Sequence, residues 1–261
     1  MDASRIKRQL KRLYVYQRYV HGSLVGGLII ALFVLVLVHT AAAVFMAPQL
    51  LLSAQAGPGF YIVTGTTGLI LVFLVVFLAG AFAGDISGGG AQLFLSQPLS
   101  REAYVAAWMI AVLATPTLLY LLSFTLPLLI LDPALLGAVG VTGTGLLAVE
   151  VVEVGALLSL IAVASKSRAA VVVLGLFLEL LLPWVLLVPF IVLVSVPGVG
   201  QRLTWAVTAY LVLFPSKYTL FATAPTGPPL TPTQLAATGL AVAALYAALT
   251  LLYARYRLEV K

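Results

Sequence analysis

From Gly22 to Met46 the chain runs for 25 residues without an Asp, Glu, Lys or Arg. Uncharged apolar runs of similar length recur at Phe60–Ala83 and Tyr104–Leu131. A helix needs about 20 apolar residues to cross the ~30 Å hydrocarbon core of a bilayer, where every backbone N–H and C=O must be bonded within the segment. A chain assembled from such runs is expected to fold as a bundle of membrane-spanning helices. Its composition agrees: 62% of residues are hydrophobic and 8% charged, with a mean hydropathy of +1.16. A soluble domain carries roughly 25% charged residues.

The expected fold class is all-α and integral to the membrane, with six spans at about 22–46, 60–83, 104–131, 146–164, 169–196 and 233–253. They form one domain over residues 21–261. The first span starts basic and ends in Ala41-Ala42-Ala43, like a secretory signal. Its apolar run exceeds the ~7–15 residues of a signal core, so an uncleaved anchor is expected. Ahead of it, residues 1–20 place Ile6, Leu10, Leu13, Tyr14 and Gln17 on one helical side and five basic residues on the other. A cytoplasmic amphipathic helix lying among membrane lipid headgroups fits that pattern, as does a simple basic topogenic flank.

The segment 197–232 is neither clean span nor clean loop. Leu203–Phe214 has only 12 residues, a length suited to a partial, re-entrant or interfacial helix. Pro225, Pro228, Pro229 and Pro232 then interrupt any helix before the last span.

Charge orients the bundle. The formal net charge is +6, and the basic residues sit at the ends of apolar segments, which points to a membrane rather than to nucleic acid. With both termini in the cytoplasm of a multi-pass cell-membrane protein, all fourteen basic residues fall inside except Arg202 and Lys217. A seventh crossing at 203–214 would put Arg255, Arg257 and Lys261 outside, so it is rejected. Neither Asn nor Cys occurs, which excludes disulfides and thiolate sites and is expected of a thermophile.

The longest polar interruption is GDISGGGAQLFLSQPLSREAYV, from Gly84 to Val105. On this topology it is a cytoplasmic loop, 84–103, between the second and third spans. Asp85 is available to a basic partner at the mouth of the second helix. Gly88-Gly89-Gly90 breaks that helix, Leu93, Phe94 and Leu95 ridge a short helix, and Pro98 ends it. Ser100 can cap the third span, with Glu102 in its first turn. Such a helix can be gripped by a soluble partner or pack on its own bundle.

An acidic residue, glycines, a Leu-rich helix and then Ser96-Gln97-Pro98, Ser100-Arg101 and Tyr104 resemble the coupling region of type-2 ATP-binding-cassette exporter permeases. The order of elements along the whole chain is also similar to that family, including the Lys166-Ser167-Arg168 turn after the fourth span. The resemblance departs where only Asp85 stands for a fuller acidic cluster, and where Ala107-Trp108 replaces a basic residue.

The resemblance implies an exporter permease with no enzymatic activity of its own. A separate ATPase subunit, holding ATP and magnesium, would grip the loop through Asp85, Gly89, Leu93, Phe94, Leu95, Pro98 and Arg101. It also implies a dimer with a second copy or a related permease. The chain itself has no GxxxxGK[ST] phosphate loop, and none of its lysines follows a glycine.

Ionisable residues inside spans are costly and raise a functional question. Glu150 and Glu153 share a face of the fourth span, Glu179 lies in the fifth and His39 in the first. Two readings stand: a translocation path or proton-sensitive gate, and carboxylates bonded at helix interfaces. No catalytic triad or metal-ligand spacing is evident. Two rivals to the permease reading follow. A proton-coupled secondary transporter would work through these glutamates and should show an inverted repeat. A membrane scaffold would tolerate their neutral replacement.

Overall fold

The computed structural model describes residues 58–88, 100–131, 141–194, 204–218 and 229–257, together with 32–38 and a few single positions. Residues 32–38 are helical, with Leu35 fully buried. The helices that follow are α1 (Pro58–Ser87), α2 (Arg101–Leu131), α3 (Val141–Ser165), α4 (Arg168–Leu176), α5 (Leu182–Val194), α6 (Thr204–Leu213) and α7 (Pro232–Arg257). A π turn, Phe177–Leu181, joins α4 to α5, and a 3-10 turn, Pro215–Lys217, follows α6. The described residues contain no strand.

Five stretches are long and apolar enough to cross a membrane: Gly68–Ser87, Arg101–Ser123, Gly145–Ser165, Arg168–Phe190 and Pro232–Arg257. Helix α1 runs on through Gly84 and Asp85 to Ser87, beyond the boundary read at Ala83. Nothing in Asp85-Ile86-Ser87 breaks a helix, and the Gly88 N–H still reaches the Gly84 carbonyl at 2.8 Å.

Helix α3 is the hub. It packs against α1, α2, α4, α7 and the 3-10 turn, and it is the most enclosed of the five stretches. Small residues let its neighbours close in. A Cβ at Gly155 would lie 2.9 Å from Leu113 of α2, and one at Gly239 of α7 would lie 2.6 Å from Val149. Helix α4 approaches α1 in the same way, where a Cβ at Gly175 would sit 2.7 Å from Val76.

Helices α3 and α4 reverse within two residues. Lys166 takes a left-handed φ of 50°, and Ser167 caps α4 by accepting from the Ala170 N–H at 3.3 Å. The π turn lies just ahead of Pro183. Proline offers no N–H, and its ring crowds the carbonyl four residues back, that of Glu179. The backbone widens there, and the Leu182 N–H bonds the Phe177 carbonyl instead.

Two apolar clusters result. The larger joins α1, α2, α3, α4 and the end of α7, around Phe82, Tyr104, Trp108 and Leu158. The smaller gathers Leu146, Leu187, Tyr210, Leu211, Phe214 and Leu235, so that α6 closes the other end of the bundle like a lid.

Candidate functional site

The first locus is the base of the 84–103 loop. Asp85 Oδ2 accepts from the Tyr104 hydroxyl at 2.6 Å and from Trp108 Nε1 at 3.0 Å. Tyr104 and Trp108 stand four apart on α2 and so share a face. Phe82 completes the clasp, stacked on Trp108 at 5.5 Å and tilted against Tyr104 at 6.3 Å. Among the described residues, the donors that meet Asp85 are these two neutral groups. The stem of Arg168 lies instead along the glycines of α1, where a Cβ at Gly84 would sit 3.8 Å from its Cδ. Trp108, in the place where the resemblance called for a basic residue, is one of the two donors.

Ser100 accepts from the Ala103 N–H at 3.2 Å and so caps α2, with Glu102 in its first turn. Glu102 also lies 3.9 Å from Arg255, and both are well exposed. Asp85, Glu102, Arg168 and Arg255 thus share one end of the bundle. Arg101 opens α2, exposed. Gly89, Leu93, Phe94, Leu95 and Pro98 lie outside the described residues, as does His39.

The second locus lies in the other half of α3. Glu153 precedes Ser165 by twelve residues, which is about 18 Å at 1.5 Å per residue. Glu150, one turn further from that end, is held from outside its helix. Its Oε2 accepts from the Ser216 backbone N–H at 2.7 Å, and its Oε1 lies 3.5 Å from Lys217 Nζ. Lys217 also donates to Ser216 Oγ at 2.8 Å. The Lys217 side chain is 25% exposed and that of Glu150 5%, so the pair links the bundle interior to its rim.

Glu153 is 3% exposed, and its Oε2 has no hydrogen-bond partner among the described residues. It faces α7, where a Cβ at Gly239 would lie 3.3 Å from that oxygen. Glu179, buried in the π turn, interacts electrostatically with Glu150, Lys217 and Glu153. Three glutamates that the sequence places on two different spans are thus within electrostatic reach of one another. No three acidic or histidine side chains among the described residues converge as metal ligands.

The lid over this locus is aromatic. The rings of Phe190, Phe214 and Phe221 lie 5.6, 5.2 and 5.6 Å from that of Tyr210, whose hydroxyl donates to the Pro183 carbonyl at 3.2 Å. Sequence reasoning missed Lys217, Ser216 and Tyr210 as members of the locus. Lys217 read as an outer-loop charge, and no local signal ties it to a residue 67 positions away. No known family pattern matches the chain, and no characterised protein matches it either.

Proposed function

We propose that the chain is the transmembrane permease subunit of an ATP-binding-cassette exporter. A separate ATPase subunit grips the 84–103 loop, and ATP and magnesium bind in that partner. The chain works beside a second permease subunit in the cell membrane, with its termini, the loop and the Lys166–Arg168 turn in the cytoplasm.

The observation that carries this reading is the clasp of Asp85 by Tyr104 and Trp108. A loop that transmits force must be tied at both ends to the elements it moves. The clasp joins the last turn of α1 to the first turns of α2, so a push on the loop displaces both helices together. Helix α1 packs on α3 and α4, and α3 packs on α7, which offers a path from the loop to the rest of the bundle. The loop's likeness to the coupling region of type-2 permeases, in Ser96-Gln97-Pro98 and Ser100-Arg101, supports the same reading.

Purification from the native membrane in mild detergent tests it. A stoichiometric ATPase is expected with the wild type and is lost from a variant with Leu93, Leu95 and Pro98 each changed to Ala. Asp85→Ala should keep the ATPase bound but slow its hydrolysis. Absence of any ATPase, under conditions that keep other membrane complexes intact, would sink the proposal.

A further inference from the structure

Charge at the second locus does not balance. Glu150, Glu153 and Glu179 carry three carboxyl groups, and Lys217 is the one cation the described residues bring to them. The elements around the three carboxyls bring few ionisable groups. The helix of Glu153 supplies Glu150, the 3-10 turn supplies Lys217, α6 supplies the Tyr210 hydroxyl and the π turn supplies Glu179. Helix α7 offers Gly239, while α2 packs on α3 at Gly155, through Val112 and Leu113.

The available donors are not shared evenly. The Ser216 N–H and the Lys217 ammonium both serve Glu150. Glu153 Oε2 is left buried against Val149 and Gly239 with no donor. An ionised carboxylate there would keep a buried oxygen without a donor and, among the described residues, no paired cation, an arrangement that proteins avoid by neutralising the group. A proton on Glu153 removes that charge and leaves a neutral acid in the apolar packing.

We propose that Glu153 is a proton-binding site beneath the α6–3-10 lid, and that its proton exchanges when the lid lifts. Lys217 reaches the rim, and its turn rests on Glu150. When that turn lifts, Glu150 loses its donors and water reaches the carboxyl one turn deeper. Proton occupancy and lid position are then linked. The proton site is a property of this chain alone and does not depend on an ATPase.

Infrared spectroscopy of the purified chain at neutral pH tests the site, because exposed carboxylates are then ionised and the carbonyl stretch of a protonated acid stands apart. The wild type should show that band, and Glu153→Gln should lose a component of it. Glu153→Asp should shift the component rather than remove it, and serves where the Gln variant fails to fold. A wild-type spectrum without the band overturns the proposal, as does a band that survives Glu153→Gln and vanishes wholly in Glu179→Gln. In deuterated water the component should exchange roughly tenfold faster in Lys217→Met, which loses a charge-assisted bond of the latch. Equal exchange rates would overturn the role of the lid.

Discussion

Asp85 receives two side-chain donors from a neighbouring helix, whereas Glu153, deeper in the bundle, has an oxygen that receives none. Each is a carboxyl on a helix of mostly apolar residues, and each sits where a different helix approaches. The difference lies in what that helix presents. Helix α2 offers Tyr104 and Trp108, aromatic bodies with a polar tip, which bury apolar area and still satisfy an anion. Helix α7 offers Gly239, which allows close approach and contributes no donor. The clasp end is therefore built to hold its helices together. The glutamate end keeps an unmet polar demand in its core.

Substitutions can break this comparison or sharpen it, with stability read by thermal unfolding in detergent micelles. The largest effect is expected for Gly239→Leu. It drives a side chain into Val149 and Glu153, and overpacking of this kind costs about 3 kcal/mol. Next is Glu150→Ala, which strands the Ser216 N–H and Lys217. Removing one partner of a buried pair costs more than this in full burial, and the partial exposure of Lys217 reduces it to about 2 kcal/mol.

Tyr104→Phe removes one charge-assisted bond from Asp85 and should cost ~1.5 kcal/mol. Glu153→Gln is the sharpest contrast. A carboxyl that already carries a proton loses little on becoming an amide, so a change within about 0.5 kcal/mol is expected. A loss as large as that of Glu150→Ala would mean that Glu153 is an ionised, bonded partner, and the contrast between the two loci would collapse. Smallest of all is Arg255→Gln, about 0.3 kcal/mol, since its contact with Glu102 is long and open to solvent.

Several elements were legible because their causes are local. The apolar runs announced helices long enough to span a membrane, since length and hydropathy are properties of contiguous residues. The Ser100 cap and Glu102 in the first turn of α2 were readable from their spacing. The shared face of Glu150 and Glu153 followed from helical periodicity alone. The glycines from Gly88 onward were legible as a break, and α1 ends at Ser87, one turn beyond the span boundary read at Ala83.

What the sequence determined by itself was this helical, membrane-compatible framework and the presence of costly carboxyl groups within it. Tertiary structure alone decided what each of those groups meets. It gave Asp85 a tyrosine and a tryptophan, carried Lys217 across 67 positions to Glu150, and set Glu179 within electrostatic reach of the α3 pair. The reason is physical. Helix formation is driven by periodicity and bonds a few residues apart, whereas the satisfaction of a buried charge depends on which faces of separate helices are pressed together, and small residues such as Gly155, Gly175 and Gly239 govern how closely they can be.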